Sequence, residues 1–375
     1  MKIALVYDRV NKWGGAERVL LALKRVFPDA PLFTAVYDPK GAPWAHVFNV
    51  KPSFLNSVPF VRNHHESLAL ITPLAFETLR FDGYDAVISV TSADAKNIIT
   101  KPGCVHICYC LTPTRYLWSG HEQYQNDPGL GILSPLASAV LRIFGTVLRR
   151  MDRVASQRPD YYIAISDRVK SRIRTYYGRD TYAVVHPPVD TVTFSVENRK
   201  LKTESRSDYF LTVSRLVSYK RIDVLITACN ELKLPLIIIG DGHQKSKLKN
   251  MAGSTIRFVD RHLTDDEMRT YYRACRAFLY AADEDFGLAA AEAQACGVPV
   301  IAYKHSGVAE FVKDGVSGVL YDKQTPQSLK KALMRYMSMS FHPLRVQKQV
   351  EHISEKIFSD TMKHVVLDLA ERTKT

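Results

Sequence analysis

Two α/β domains, each a doubly wound parallel sheet, are the fold class this sequence predicts, on three observations. Short apolar, β-branched runs alternate with longer helical patterns from end to end, which implies parallel strands, right-handed crossovers and helices on both sheet faces. Several of the runs are apolar throughout, as strands covered on both sides must be. The pattern also restarts once, and 375 residues exceed what a single core usually supports.

In the first half the expected strands are Lys2–Asp8, Leu32–Asp38, Asp85–Val90, His106–Leu111, Tyr161–Ser166 and Tyr182–His186. The second half offers Tyr209–Ser214, Leu236–Gly240, Ile256–Asp260, Phe278–Ala282, Val298–Tyr303 and Gly318–Asp322. Helical stretches such as GAERVLLALKRVF, DDEMRTYYRACRAF and LAAAEAQAC lie between them. The restart falls after HPPVD, where Thr191–Asp208 is polar and lacks an apolar period. The expected organisation is therefore a first domain over 1–188, a linker over 189–208 and a second domain over 209–345. A helical segment follows over 346–375, amphipathic near Val350–Ala370; pattern leaves its partner open, a return to the first domain being one option. No repeat with a period of 20–50 residues interrupts this order.

Composition narrows the function classes. Hydrophobic residues make up 46% and charged residues 24%, too apolar for a disordered chain. No apolar run approaches the roughly 20 residues needed to span a bilayer, and MKIALVYD is too short for a signal-peptide core. Six scattered cysteines make no disulfide framework. A reduced, cytoplasmic protein is expected. The net charge of +13 calls for an acidic partner: nucleic acid, an anionic membrane or phosphorylated substrates. Between Arg142 and Arg179 ten Lys/Arg oppose three Asp/Glu, so about half of the excess forms one patch.

Parallel α/β sheets bind ligands outside the carboxyl ends of their strands, and two such domains facing a central cleft would line it with those loops. The strongest constellation there is Glu284–Ala302, EDFGLAAAEAQACGVPVIA. Unpaired N–H groups of Gly287 and Leu288 at the start of its helix favour a phosphate. Glu284 and Glu292, eight residues apart, are expected near one helix face. Carboxylates flanking an anion site suit a nucleotide-sugar, though a solvated acidic helix start explains them equally well. SRLVSYKRID adds Arg215 at a strand end, with Lys220 and Arg221 in the following loop, as phosphate partners. In KWGGAERV, Gly14 and Gly15 open a helix after the first strand as a second, weaker anion site. It is neither GxGxxG nor a P-loop, which disfavours nicotinamide chemistry and ATP hydrolysis at a Walker site.

These segments, with YDAVISVTSADAKN, HICYCLTPTRYLW, RPDYYIAIS, HPPVD, IIIGDG and HSGVAEFVKDGVSGVLY, resemble the retaining glycosyltransferases of family 4, also called group 1. The resemblance runs over nearly the whole chain and implies the GT-B fold, two Rossmann-like domains facing a cleft. It implies hexose transfer from a nucleotide-sugar, with no further cofactor. By that resemblance Arg215 and Lys220 bind the diphosphate, Glu284 contacts the sugar hydroxyls and Glu292 holds the ribose. Phe286 and the amides of Gly287 and Leu288 line the donor, and Gly15, beside Gly14, closes over the leaving group. The TPTRYLW and HPPVD variants resemble mannosyl-transferring bacterial relatives, so GDP-mannose is the favoured donor. A glycan or lipid-diphosphate-linked saccharide is the implied acceptor.

One position departs from the pattern. Related sequences usually carry His where this chain has Leu111. His106 lies five positions earlier, on the opposite face of a strand, which leaves His121 and His186 as candidate substitutes. Arg115 and Tyr116, just beyond a strand end with Trp118, join His121 as acceptor-side candidates, while Tyr116 and Trp118 serve equally as packing residues. No metal-ligand spacing is present; Cys108 and Cys110 share a strand face without a second pair and read as core.

The basic patch includes Arg149, Arg150, Arg153 and Arg158, interleaved with Leu141, Ile143, Phe144, Val147, Leu148 and Met151. Such a helix suits an anionic membrane surface, or it packs its apolar side on the sheet and solvates its arginines. His64–Phe81 is a second acceptor-side candidate. Alternative readings are a nucleotide-sugar epimerase on the same architecture, a donor-binding pseudoenzyme motivated by Leu111, and a nucleic-acid-binding protein motivated by charge. No nucleic-acid-binding motif supports the last.

Overall fold

The computed structural model describes residues 1–58, 71–128, 134–196 and 207–373. The chain divides into two compact units, residues 1–188 with 356–375, and residues 189–355.

The first unit runs β1 (Ile3–Tyr7), α1 (Gly15–Val26), β2 (Leu32–Thr34), β3 (Val50–Pro52), α2 (Thr72–Glu77), β4 (Ala86–Thr91) and β5 (Val105–Cys110). It continues with α3 (His121–Asn126), α4 (Ser134–Ala155), β6 (Tyr161–Ala164), α5 (Asp167–Tyr177) and β7 (Ala183–Val184). Its strands form one parallel sheet in the order β3-β2-β1-β4-β5-β6-β7. β1, β4 and β5 are buried along their whole length, which is why they read as continuous apolar runs. α1 turns Val19, Leu20 and Leu23 to the core and leaves its basic residues in the last turn, where they oppose the helix dipole. α5 starts at Ser166, whose side chain accepts from the Val169 N–H, and stops at Gly178 with φ +64°.

The second unit comprises β8 (Phe210–Val213), α6 (Ile222–Glu231), β9 (Leu236–Ile239), α7 (Lys245–Met251), β10 (Ile256–Val259) and α8 (Asp265–Ala274). Then come β11 (Phe278–Tyr280), α9 (Leu288–Ala295), β12 (Val300–Tyr303), β13 (Gly318–Tyr321), α10 (Pro326–Met337) and α11 (Pro343–Lys348). The sheet is parallel, in the order β10-β9-β8-β11-β12-β13. Phe210, Leu236, Ile238, Leu279, Ile301 and Val319 from its strands share one core with Leu225 and Leu329 from the covering helices. α8 begins in a full capping box between Thr264 and Glu267.

All twelve expected strands are present, ten of them shorter and β4 and β5 shifted by one residue. β3 is an addition that no sequence signal marked: three largely exposed residues ending in a proline, paired only to β2. Such a strand is tolerated at an edge, where the missing N–H faces solvent. The polar stretch after residue 188 also differs from the expected linker over its described part. Residues 189–196 pack into the second unit. Phe194 is fully buried, edge-on to Tyr272 at 5.7 Å, and Arg273 donates to the Ser195 carbonyl at 2.9 Å. One aromatic among polar residues was enough to anchor the segment, and periodicity does not register a single side chain. Residues 197–206 of the expected linker lie outside the described residues, as do 64–70 of the acceptor-side candidate His64–Phe81.

At the other end, Val346, Val350 and Ile353 are buried in the second unit, and the Val189 N–H donates to the Ile353 carbonyl. α12 (Glu355–Arg372) then joins the first unit. There Phe358 packs edge-on to Tyr109 at 5.9 Å, and Tyr182 donates its hydroxyl proton to Asp368.

Each sheet has one place where strand order reverses, between β1 and β4 in the first and between β8 and β11 in the second. Crossovers diverge there and leave a crevice beyond the strand ends, the usual ligand position in open α/β sheets.

Candidate functional site

In the second unit the loops beside the reversal carry four of the residues singled out by sequence. Arg215 follows β8, and Lys220 ends a short 3-10 turn over Ser218–Lys220. Glu284 follows β11, and Gly287 precedes α9. Lys220 forms an ion pair with Oε2 of Glu284 in which both side chains are largely buried. Tyr280 donates its hydroxyl proton to the same oxygen. Arg215 donates to the Tyr219 hydroxyl, and both Arg215 and Lys220 lie over the Tyr219 ring, at 6.0 and 5.6 Å. Tyr219 thus gathers two cations on the β8 loop. Neither tyrosine was among the expected site residues, because a single aromatic in a turn, as Tyr219, or at a strand end, as Tyr280, carries no spacing signal.

Gly287 sits at the N-cap of α9 with φ +101°, in the left-handed region that side chains avoid. A Cβ there would come within 2.5 Å of Val308 Cγ2 and 3.1 Å of the Tyr280 hydroxyl. Both constraints select glycine, and a glycine cap brings no side chain to satisfy the first-turn N–H groups. Ala290 donates its N–H to the Gly287 carbonyl at 3.0 Å, and the N–H groups of Leu288 and Ala289 before it suit an anion. Leu288 opens the helix, and Phe286 is buried against Phe311 at 5.3 Å, which anchors the loop beneath it. The Gly307 N–H donates to the Glu284 carbonyl at 2.8 Å, fixing the backbone that carries the carboxylate.

Glu292 stands apart from Glu284. The sequence spacing placed both near one helix face, but α9 begins only at Leu288 and Gly287 breaks the path, so helical periodicity does not relate them. Glu292 is buried and accepts the Tyr272 hydroxyl proton at 3.0 Å. The segment IIIGDG supplies bracing that no role had been assigned to. A Cβ at Gly240 would lie 1.9 Å from the Ser214 carbonyl oxygen, and one at Gly242 2.3 Å from that of Leu216. Both glycines have positive φ, 145° and 157°. They let the β9 loop press on the backbone flanking Arg215.

In the first unit, Gly14 caps α1 and Gly15 begins it. Glu17, in the same first turn, is buried and accepts the Tyr7 hydroxyl proton at 2.7 Å. Burial raises the pKa of its carboxyl, against the hydrogen bond from Tyr7. Asp8, at the end of β1, accepts from Thr91 Oγ1 at 2.7 Å and from the N–H groups of Ser92, Asp94 and Ala95 at 2.8, 3.0 and 2.8 Å. This one carboxylate holds the turn after β4. Beside it, buried Lys96 contacts Asp152 Oδ1 at 2.6 Å and the Thr114 hydroxyl at 3.0 Å. Burial alone would lower the Lys96 pKa, but the Asp152 and Asp94 carboxylates beside it hold it well above its ordinary value.

The acceptor-side candidates are woven into this unit. His121 uses Nδ1 with the Tyr116 carbonyl at 3.1 Å and Nε2 with the Gln125 amide at 2.9 Å. Its ring lies over Gly145 of α4, where a Cβ would approach Cε1 to 3.2 Å. Tyr116 packs beside Tyr124 and the Leu117–Leu141–Leu148 cluster. Trp118 donates to Asp152 Oδ2 at 2.7 Å and stacks on Tyr176 at 5.1 Å, so its role is packing. Arg115 is half-buried, and its Cγ would meet a Cβ at Gly120 at 3.0 Å.

His106 is buried in the sheet against Ser89 Oγ at 2.8 Å, and burial drives its pKa down to about 3. It cannot replace a histidine at Leu111. His186 uses Nδ1 on the Ile165 carbonyl at 3.0 Å. All six cysteines are buried thiols; burial pushes Cys229 up to about 12. Among the described residues no group of His, Cys, Asp or Glu stands together in a way that could hold a metal ion.

Residues 194–355 match the family model described as Glycosyl transferases group 1. An uncharacterized glycosyltransferase of Methanocaldococcus jannaschii is 31% identical over 148 residues, which cover 38% of this chain and 42% of that protein. A D-inositol 3-phosphate glycosyltransferase of Thermobifida fusca is 30% identical over 205 residues, 48% of this chain and 47% of that protein. The chain thus spans less than half the length of these curated relatives. Among solved structures, Anabaena HepE in complex with UDP superposes with a TM-score of 0.72 at 17% identity, over 98% of this chain and 100% of that one. Likeness at that identity is likeness of fold. The chain accordingly has the GT-B fold, and the stretch that is similar to the group 1 glycosyl transferases is residues 194–355.

Proposed function

We propose that this chain is a retaining, metal-independent hexosyltransferase that takes its sugar from a nucleotide-sugar. The observation that carries the reading is the meeting of Lys220, Arg215 and Glu284 beside the glycine-capped start of α9, at the reversal of the second sheet. Two cations and a helix N-terminus suit a diphosphate, and a carboxylate anchored by Tyr280 suits the hydroxyls of an attached sugar. The same cations would stabilise the charge that develops on the departing diphosphate, where preorganised electrostatics has its largest effect.

In this mechanism the bond from the anomeric carbon to the diphosphate oxygen breaks as the acceptor oxygen bonds to that carbon from the same face. The acceptor proton passes to the departing phosphate oxygen, so no protein nucleophile or histidine is required. Glu292, held in place by Tyr272, takes the ribose. GDP-mannose is the favoured donor by sequence resemblance. UDP-glucose is its first competitor, since HepE is also known in complex with that compound. A glycan or lipid-diphosphate-linked saccharide is the proposed acceptor.

A thermal-shift panel of GDP-mannose, UDP-glucose, UDP-N-acetylglucosamine and dTDP-rhamnose tests the donor site. Ligand at 100 times its dissociation constant adds about 2.7 kcal/mol. One nucleotide-sugar should raise the unfolding temperature, and the Arg215→Ala/Lys220→Ala variant should not respond. No response to any member would overturn the reading. Release of nucleoside diphosphate that depends on added acceptor then separates transfer from epimerisation and from donor binding without turnover.

A further inference from the structure

α4 is the longest helix of the first unit, 22 residues from Ser134 to Ala155. At about 100° per residue, Leu141, Gly145, Leu148, Asp152 and Ala155 fall on one side, and these are its buried residues. They dock on the turn after β5, where Leu141 and Leu148 meet Leu117 and Trp118. The opposite half does not follow the usual rule of a polar outer face. It is split lengthwise. Arg142, Arg149, Arg150 and Arg153 occupy one flank, and Leu136, Ile143, Phe144, Val147, Met151 and Val154 occupy the other. All six apolar side chains are exposed, Ile143 to 71% and Val154 to 60%. From Leu136 to Val154 the stripe runs about 27 Å along the axis.

The two flanks are anchored unequally. Arg149 donates to the Leu117 carbonyl at 2.7 Å, and Arg153 lies over the Trp118 ring at 5.4 Å. These two arginines fasten the helix to the body of the unit, while Arg142 and Arg150 are exposed. A helix already held by its buried face has no folding requirement for a second apolar stripe. Nor is it a membrane span: among the described residues no helix is long and apolar enough to cross a bilayer.

We propose that α4 lies along an anionic lipid surface, with Leu136, Ile143, Phe144, Val147, Met151 and Val154 in the acyl–headgroup boundary and Arg142 and Arg150 on lipid phosphates. An apolar stripe beside a cationic flank is the arrangement that holds a helix in the plane of a membrane interface. The charge identifies the occupant. The segment from Arg142 to Arg179 carries ten basic and three acidic residues, and a second copy of a chain with net charge +13 would meet it with net repulsion. The docking does not depend on the glycosyl-transfer reading.

The test is flotation of the full chain with phosphatidylcholine vesicles, with and without phosphatidylglycerol, at low and high salt. The wild type should float with the anionic vesicles, and salt should release it as screening removes the headgroup attraction. Ile143→Ser/Val147→Ser, which changes no charge, should abolish flotation without altering the unfolding midpoint or the nucleotide-sugar response. Arg142→Gln/Arg150→Gln should weaken anionic binding about fivefold for each arginine removed. Absence of flotation by the wild type, or flotation indifferent to Ile143→Ser/Val147→Ser, would overturn the proposal. So would a wild-type dimer that this serine pair converts to monomer, since the stripe would then belong to a second copy.

Discussion

The two sheets reverse their strand order in the same way, yet they spend their polar residues differently at that point. In the first unit Asp8 is consumed by five donors from the end of β4 and the turn after it, Glu17 by Tyr7, and Lys96 by a fully buried pairing with Asp152. In the second, Lys220 and Glu284 retain some solvent contact, Arg215 is exposed and donates to the Tyr219 hydroxyl, and a glycine caps the adjacent helix. A buried, saturated network specifies a loop conformation. A partly solvated one, with charge at a capless helix, leaves capacity for a ligand. The same topology thus supplies a scaffold in one unit and a candidate donor site in the other.

The sharpest way to break that contrast is the same substitution on both sides. Lys96→Met leaves Asp152 buried without its cation and should cost about 3–5 kcal/mol, lowering the unfolding midpoint by on the order of 10 °C. Lys220→Met should cost about 1 kcal/mol, because Glu284 can rehydrate, while nucleotide-sugar affinity falls about 10- to 100-fold with the loss of a charge-assisted contact. Calorimetry of both variants with and without donor reads the two effects. Equal destabilisation, or unchanged donor affinity in Lys220→Met, would erase the distinction.

Gly287→Ala tests the glycine cap. The left-handed φ costs a side chain about 1–2 kcal/mol, and displacement of Val308 and the Tyr280 hydroxyl adds to it. Both stability and donor affinity should drop, because Tyr280 positions Glu284. Retention of full donor affinity would show that the start of α9 is not where the diphosphate sits.

A further test is a pH dependence confined to the first unit. Burial, reinforced by Asp8 and Asp152 and opposed by Lys96, pushes the Asp94 carboxyl up to about 7 from an ordinary 3.8. A folded-state pKa above the unfolded one favours the protonated fold, so this contribution is complete below the unfolded value. It declines as pH rises through the window from about 4 to about 7. Asp94→Asn should flatten that decline in urea midpoints measured from acid to neutral pH. A variant that follows the wild-type curve would assign the dependence to another group.

Sequence reading reached far where local pattern reports on burial. The apolar runs of β1, β4 and β9 are legible from residue order. Arg215, Lys220, Glu284 and Gly287 were legible as strand-end residues, because ligands gather beyond strand ends. Tyr219, Tyr280 and Tyr272 were not: Tyr272 acts through a partner on another helix, and Tyr219 and Tyr280 act on loop residues four positions away, where spacing carries no signal. Helical spacing does not relate Glu284 to Glu292, because it has meaning only inside one continuous helix and this one begins at Leu288.

By itself, the sequence determined the fold class, the two-sheet organisation, the strand-end loops that carry charge and the concentration of arginines in one stretch. These follow from side-chain periodicity, turn chemistry and composition, which are local quantities. Only the tertiary structure decided which of those charges are saturated and which keep capacity for a ligand. It also decided that Phe194 draws residues 189–196 into the second unit, and that α4 turns one apolar face inward and leaves the other in solvent. Saturation and exposure depend on what approaches from distant parts of the chain, and residue order does not state that.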